Sequence, residues 1–137
     1  MSNKVCLILV NSQVVIDPKK IVSYRTVFQK DLLSEIENMS DLVHLTVVMR
    51  EWNVSPVMSQ NAAEFELLKN ITIATEGPIT HETFDKFFIL LRTGSMIAPN
   101  LEFIRLPKQG FVDENDLNES RINIRKHNMH GILAEVY

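Results

Sequence analysis

The histidines of this sequence and the acids beside one of them are the side chains best suited to acid–base or metal chemistry. His127 and His130 stand three positions apart, and His81 is followed by Glu82 and Asp85. In an extended strand, positions three apart point to opposite faces, so the histidine pair could share a metal ion only across a turn. No third ligand is evident beside the pair. We therefore expect two exposed turn histidines and no metal site.

His81, Glu82 and Asp85 also have an explanation without catalysis. They fall in the first turn of a predicted helix, where acidic side chains complement the helix dipole. The sequence holds no glycine-rich phosphate loop, CxxC, HExxH or GxSxG motif. The chain is therefore expected not to be an enzyme, with no catalytic residue and no cofactor. A small hydrolase that uses His81, Glu82 or Asp85 remains an alternative.

A basic cluster near the end of the chain suggests another function. Arg121, Arg125 and Lys126 precede the two histidines and could contact phosphates. An acidic run from Asp113 to Glu119 lies just before them and could pair with them instead. The chain carries 14 Lys and Arg against 17 Asp and Glu, a net charge of −3, which argues against non-specific phosphate binding. A nucleic-acid-associated regulatory protein is therefore a second alternative.

The single tryptophan marks the predicted contact surface for a partner protein. Trp52 follows a predicted strand, with Arg50 two residues before it. Tryptophan and arginine in a loop are typical interface anchors, although Trp52 could instead fold back over the core. Met49 and Met58 lie near the ends of predicted elements, where flexible methionines adapt to a partner. The predicted partner-binding residues are Met49, Arg50, Trp52 and Met58.

Hydrophobic patterning predicts alternating strands and helices. The predicted strands are a hairpin over Lys4 to Ile16, then Leu42 to Met49, Ile71 to Thr75, Leu101 to Leu106, Arg121 to Lys126 and Gly131 to Tyr137. The predicted helices are Lys19 to Ser23 after an Asp17-Pro18 cap, Tyr24 to Glu37, one opened by Ser55-Pro56 that stops near Asn70, and one capped by Thr80 and ended by Gly94. One apolar cluster is expected to bury Phe28, Leu32, Phe84, Phe87, Phe88 and Leu91.

The length and composition indicate one folded unit. The chain has 137 residues, of which 45% are hydrophobic, which fits a single domain over 1–137. No internal repeat or linker is apparent. The expected fold is α+β, with a mixed or mainly antiparallel sheet and about three helices packed on one face. The apolar runs are too short for a membrane span or a signal peptide, so a cytoplasmic or nuclear location is expected.

The stretch from Ile71 to Gly94 resembles the strand-then-helix signature of BTB/POZ domains, whose relatives include elongin C and the adaptor of SCF ubiquitin ligases. Phe84 and Gly94 have the family's ten-residue spacing, and Thr93-Gly94 matches, while Arg92 stands where tyrosine is usual. The segment Leu42 to Lys69 would be an insertion, and β-like sequence replaces the family's C-terminal helices. The resemblance implies a protein-interaction module, often dimeric or an adaptor, without catalytic residues.

The leading functional hypothesis is therefore a non-enzymatic protein–protein interaction or adaptor domain. Its partner would be another protein or a second copy of the chain. The segment Leu42 to Met49 contains no charged residue that would protect a sheet edge from pairing. We expect association through this strand as an edge, together with the Trp52 loop.

Overall fold

The computed structural model describes residues 7–10, 13–51, 56, 62–127 and 131–137. It opens on an antiparallel hairpin of β1 (Leu7–Val10) and β2 (Gln13–Ile16), as the sequence predicts for these residues. A 3-10 helix over Pro18–Lys20 follows, and the Asp17 carboxylate caps it by accepting a hydrogen bond from the Lys19 N–H at 3.1 Å. The predicted cap is confirmed, although the helix is one turn long.

A five-stranded sheet forms the centre of the molecule, and every neighbouring pair of its strands is parallel. Its strands are β3 (Ser23–Val27), β4 (His44–Met49), β6 (Asn70–Thr75), β8 (Phe103–Leu106) and β9 (Leu133–Val136), in that spatial order. A small parallel pair consists of β5 (Ala63–Glu64) and β7 (Met96–Ile97). The helices are α1 (Leu32–Ile36), α2 (His81–Arg92) and α3 (Glu114–Lys126).

The predicted fold class is wrong, because the sheet is parallel and the fold is therefore α/β. Between two parallel neighbouring strands, the chain must return to the end of the sheet where the first strand began. The segments that contain α1, α2 and α3 are such connections. The prediction that Leu42 to Met49 forms an exposed edge is also wrong. The strand β4 lies inside the sheet, between β3 and β6.

An apolar repeat underlies this sheet, although none was expected from the sequence. Three times, a leucine is followed three and five residues later by further aliphatic residues. These triplets are Leu42-Leu45-Val47, Leu68-Ile71-Ile73 and Leu101-Ile104-Leu106, and every member is at most 2% exposed. The N–H of each leading leucine donates to the carbonyl three residues earlier, at 3.1 to 3.4 Å. The chain thus adds one strand at a time beside the last, as solenoid proteins do.

One face of the sheet, here called the inner face, carries the second and third member of each triplet. These side chains form one core cluster with residues of all three helices, among them Leu32, Phe87 and Ile124. The Phe28 ring meets the Phe87 ring edge-on, with 6.1 Å between the centroids. The predicted core is confirmed for Phe28, Leu32, Phe84, Phe87 and Phe88, while Leu91 is partly buried against it.

The strand order explains why the three helices share one face. Connections between parallel strands are almost always right-handed. Because each new strand is added on the same side of the previous one, right-handed connections all fall on the same face. The opposite face, here called the outer face, therefore keeps its side chains only partly covered. No helix of the described residues has the length and apolar character that a membrane span needs.

The C-terminal region differs from its prediction. Residues Arg121 to Lys126, predicted as a strand, form the end of α3. Asp113 caps this helix by accepting from the Asp116 N–H at 3.0 Å. The acidic run and the basic cluster thus belong to one helix, with Glu114 and Asp116 in its first turn and Arg125 and Lys126 in its last turn, each of the sign that the helix dipole favours.

Two other predicted helices are also corrected. The segment Tyr24 to Glu37 forms β3 and then α1, because its first residues pair with β4. The helix predicted after Ser55-Pro56 is absent from residues 62–70, where Ala63 lies in β5 and Phe65 directly follows that strand. Residues 57–61 fall outside the described part of the chain.

Candidate functional site

The outer face presents side chains in rows that cross the strands, because the registers align equivalent residues. One row runs Ser23, His44, Asn70, Phe103 and Leu133, and the next runs Arg25, Thr46, Thr72, Arg105 and Glu135. The second row, here called the Arg25–Glu135 row, ends in charged residues and has two threonines at its centre. Arg25 is exposed, and both threonines are half-buried. This row offers charged and hydroxyl groups to a molecule lying on the sheet.

His44 belongs to the first row and is held neutral. The Asn70 side-chain amide donates to His44 Nδ1 at 2.8 Å, which requires that nitrogen to be unprotonated. Burial lowers the pKa of His44, and the nearby positive charge of Lys69 lowers it further. The imidazole therefore adds a polar group to the outer face, without a charge.

Tyr137 lies across the outer face. Its hydroxyl donates to the carbonyl of Ile73 at 2.6 Å, so the side chain reaches from beyond β9 over β8 to β6. The Arg105 guanidinium carbon lies 5.1 Å from the centre of the Tyr137 ring. Burial raises the pKa of Tyr137, although the positive charges of Arg105 and Arg25 act against the rise. Tyr137 thus stays an uncharged donor and a platform for Arg105.

Arg105 also meets an acid at the end of its row. Its Nε lies 3.4 Å from Glu135 Oε1, an ion pair between side chains that are 40% and 47% exposed. The same nitrogen is buried and makes no hydrogen bond. The contact therefore compensates the charge of Arg105 only in part.

A histidine–carboxylate pair joins the starts of α2 and α3. Asp116 accepts from the His81 N–H at 2.9 Å and from the His81 ring Nδ1 at 2.6 Å. The hydrogen bond to Asp116 raises the pKa of His81, although burial opposes the rise. Bonds from the same histidine lower the pKa of Asp116. A carboxylate that orients an imidazole is part of many acid–base sites.

The surroundings of this pair indicate helix capping. Within the described residues, the hydrogen bonds join no hydroxyl or thiol to the ring of His81. The neighbouring Thr80 N–H donates to Glu51 at 2.8 Å, so acids from outside α2 accept from its first N–H groups. Asp85 instead accepts from the Asn123 amide at 2.8 Å. The charges of Glu82 and Asp85 help to raise the pKa of His81, but the Asp85 carboxylate is hydrogen-bonded to Asn123 and not to the His81 ring.

The other predicted site residues are dispersed. Met49 is 1% exposed and packs in the core, whereas Arg50 is exposed beside it. Trp52 and Met58 lie outside the described residues, so their predicted roles stay predictions. In the part of the chain that is described, no three His, Cys, Asp or Glu side chains are arranged to hold a metal ion.

Arg125 and Lys126 lie in the last turn of α3, His127 is its C-terminal cap, and Arg121 lies about one turn earlier. Arg125 and Lys126 are exposed, and Arg121 is half-buried. The His127 ring packs against Phe88 with 6.2 Å between the centroids. A cavity of about 470 Å³ opens beside this contact, with mostly apolar walls. Its volume is in the range of small-molecule sites, but polar groups that would orient a ligand are few.

Sequence reasoning missed Arg25, Arg105 and Tyr137. The available signal was a polar residue between the two inner aliphatic residues of each triplet, as at Thr46 between Leu45 and Val47. No family model, curated protein or solved structure matches this chain.

Proposed function

We propose that this chain is a non-enzymatic protein-interaction domain that binds its partner on the outer face of the sheet. The observation that carries the proposal is the one-sided sheet. Its inner face is covered by three helices, and its outer face carries the Arg25–Glu135 row.

A parallel sheet with one polar face is unusual. All-parallel sheets usually have both faces covered, and their strands are then apolar on both sides. Here residues alternate, so that Ile71 and Ile73 are buried while Thr72 between them is half-buried. Such a face suits water or a polar partner better than a further apolar layer. In solenoids, surfaces of this kind serve as extended binding sites.

The strand order also disfavours one common class of enzyme site. In doubly wound sheets, ligands bind in the crevice where the strand order reverses direction. The order β3-β4-β6-β8-β9 never reverses within the main sheet. This topology therefore supports an extended contact surface better than a nucleotide crevice. An adaptor role, as the BTB/POZ resemblance implies, is part of the same proposal.

The test is a bulky uncharged substitution at the centre of the outer face. Thr72→Tyr adds a large side chain where Thr72 is half-buried, and Ser34→Tyr, on the exposed side of α1, is the matched control. Each variant and the parent chain is used as bait in a native extract, with bound proteins quantified by mass spectrometry. Circular dichroism and thermal melting verify that both variants are folded.

We expect a partner that the parent chain and Ser34→Tyr retain and that Thr72→Tyr loses by at least tenfold. A partner retained equally by all three chains would place binding elsewhere. Recovery of no specific partner with the parent chain would also contradict the proposal.

A further inference from the structure

We propose that Arg25 and Arg105 bind two separate carboxylates of an acidic, extended segment in the partner protein. This inference rests on the proposed function, because it assigns the chemistry of the same outer face. The two arginines stand in one row, and the hydroxyls of Thr46 and Thr72 lie between them.

The spacing of the two arginines fixes the geometry of the partner. Three strand-to-strand steps separate β3 from β8, and each step is about 4.8 Å, so their Cα atoms lie about 14 Å apart. An extended chain advances about 3.3 Å per residue, so acidic residues about four positions apart match this span. Arg105 pairs with Glu135 on β9, on the side of β8 away from Arg25, so a single phosphate group could contact both arginines only if Arg105 left that ion pair. The arrangement therefore favours two carboxylates over one phosphorylated residue.

The charge of the outer face favours an acidic partner. The chain as a whole has a net charge of −3. On the strands of the outer face, by contrast, Arg25 and Arg105 are opposed only by Glu135, and His44 is neutral. Among the described residues, Arg25 forms no ion pair with a carboxylate. The surface is thus locally positive on an acidic molecule.

The position of the Arg105 guanidinium on the Tyr137 ring favours contact with a partner carboxylate. Stacking on Tyr137 limits its motion, and the Tyr137 hydroxyl is itself fixed on Ile73. A guanidinium held on an aromatic ring presents its remaining N–H donors in a planar fork that fits a carboxylate. The ion pair with Glu135 is made through the buried Nε, while the Arg105 side chain as a whole is 40% exposed. A partner carboxylate can therefore bind the other guanidinium nitrogens, which Glu135 does not engage.

The experiment measures binding of defined fluorescent peptides to the full chain by anisotropy at low salt. The main probe has two glutamates four positions apart in a Gly/Ser/Thr background. One comparison peptide has glutamines at both positions, and another has two adjacent glutamates. A peptide with one phosphoserine and a single-stranded oligonucleotide represent the competing ligands.

We expect the spaced glutamate peptide to bind at least tenfold more tightly than the glutamine peptide, and more tightly than the other three probes. Arg25→Gln and Arg105→Gln should each weaken it about tenfold, the equivalent of one charge-assisted contact. Arg92→Gln on α2 removes the same charge away from the outer face and should leave binding unchanged. Because Arg25 is exposed, its variant keeps the test valid even if Arg105→Gln proves unstable.

Equal binding of the glutamate and glutamine peptides, or tightest binding of the phosphopeptide or oligonucleotide, would overturn the inference. So would unchanged binding by both outer-face arginine variants. If Thr72→Tyr still abolishes capture of the native partner in that case, the proposed function stands and only the acidic ligand is rejected. If Thr72→Tyr has no effect either, both proposals fail.

Discussion

The Glu35 carboxylate joins α1 to β3, and its removal gives a measurable test of the structure. Oε2 accepts from the Tyr24 hydroxyl at 2.6 Å and from Thr26 Oγ1 at 2.7 Å, and Oε1 accepts from the Gln29 amide at 3.0 Å. Each hydrogen bond to a charged group contributes about 1.5–3 kcal/mol when buried. Glu35 is half-buried, so water can replace part of each bond. We expect Glu35→Ala to lower the free energy of unfolding by about 2 kcal/mol.

The assay is urea denaturation at pH 7, with Glu35→Gln as the matched variant. The amide keeps the shape and one acceptor oxygen, so it should lose about half as much stability. A double-mutant cycle with Tyr24→Phe should give a coupling energy of about 1 kcal/mol for the shortest bond.

The pH dependence gives an independent check. Burial alone would raise the pKa of Glu35, but the bonds from Tyr24, Thr26 and Gln29 outweigh it and hold the pKa below the usual value. Its stabilisation is therefore present above the unfolded pKa and is lost as the pH falls through the lower folded value. The hydrogen bond to Glu35 raises the pKa of Tyr24 to about 12, so the neutral hydroxyl remains a donor throughout. Equal stability of Glu35→Ala and the parent chain at pH 7, with the same decline in acid, would refute this account.

Three further outcomes test the fold. Asp116→Asn should lower the free energy of unfolding by about 1 kcal/mol at pH 6. The parent chain should lose this contribution as the pH rises through the raised pKa of His81, so the difference in melting temperature should shrink by pH 8; a constant difference would exclude the ion pair. Phe87→Ala should cost about 3–5 kcal/mol in urea denaturation, because the ring is 0% exposed, and an unchanged transition would contradict its packing. Gly110→Ala should cost about 1–3 kcal/mol, because a Cβ would lie 2.6 Å from Thr75 Oγ1, and an undiminished melting temperature would show that the loop adjusts.

Elements with strong local signals were predictable from the sequence. The β-branched run in β4 and the short apolar run in β6 form strands close to their predicted bounds. The helix α2 begins after Thr80, as predicted, and Gly94 adopts the left-handed conformation at a φ of 75°. In each of these cases the local preference and the tertiary structure agree.

Elements that depend on tertiary pairing were not predictable in this way. Val27, Phe28, Leu32 and Ile36 have helical spacing, but a strand, a turn and a short helix bury three of them equally well. The pairing of β3 with β4 decides between one long helix and a strand followed by a short helix. The local spacing of apolar residues contains no information on that pairing. In α3, the dipole-complementing charges at both ends and the Asp113 cap override the alternation that suggested a strand.

The outer face could not be predicted because it depends on strand order and register. Arg25 and Arg105 are far apart in sequence and come into one row only when β3, β4, β6 and β8 align in parallel. The triplets that produce this alignment are hard to recognise in the sequence, because segments of unequal length separate them. The sequence therefore predicts a contact surface only around single residues such as Trp52 and Arg50, and that surface stays a prediction.

The triplet pattern separates the positions that fold the chain from those that can bind. In each strand, the residue between the two inner aliphatic positions must point to the outer face, because side chains alternate along a strand. Its identity is therefore free of core packing. Thr46 and Thr72 occupy this position with β-branched residues that suit a strand, whereas Arg105 occupies it with a long cation. Arg105 pairs with Glu135 and lies against the Tyr137 ring at this position, and under the proposed function it also contacts the partner.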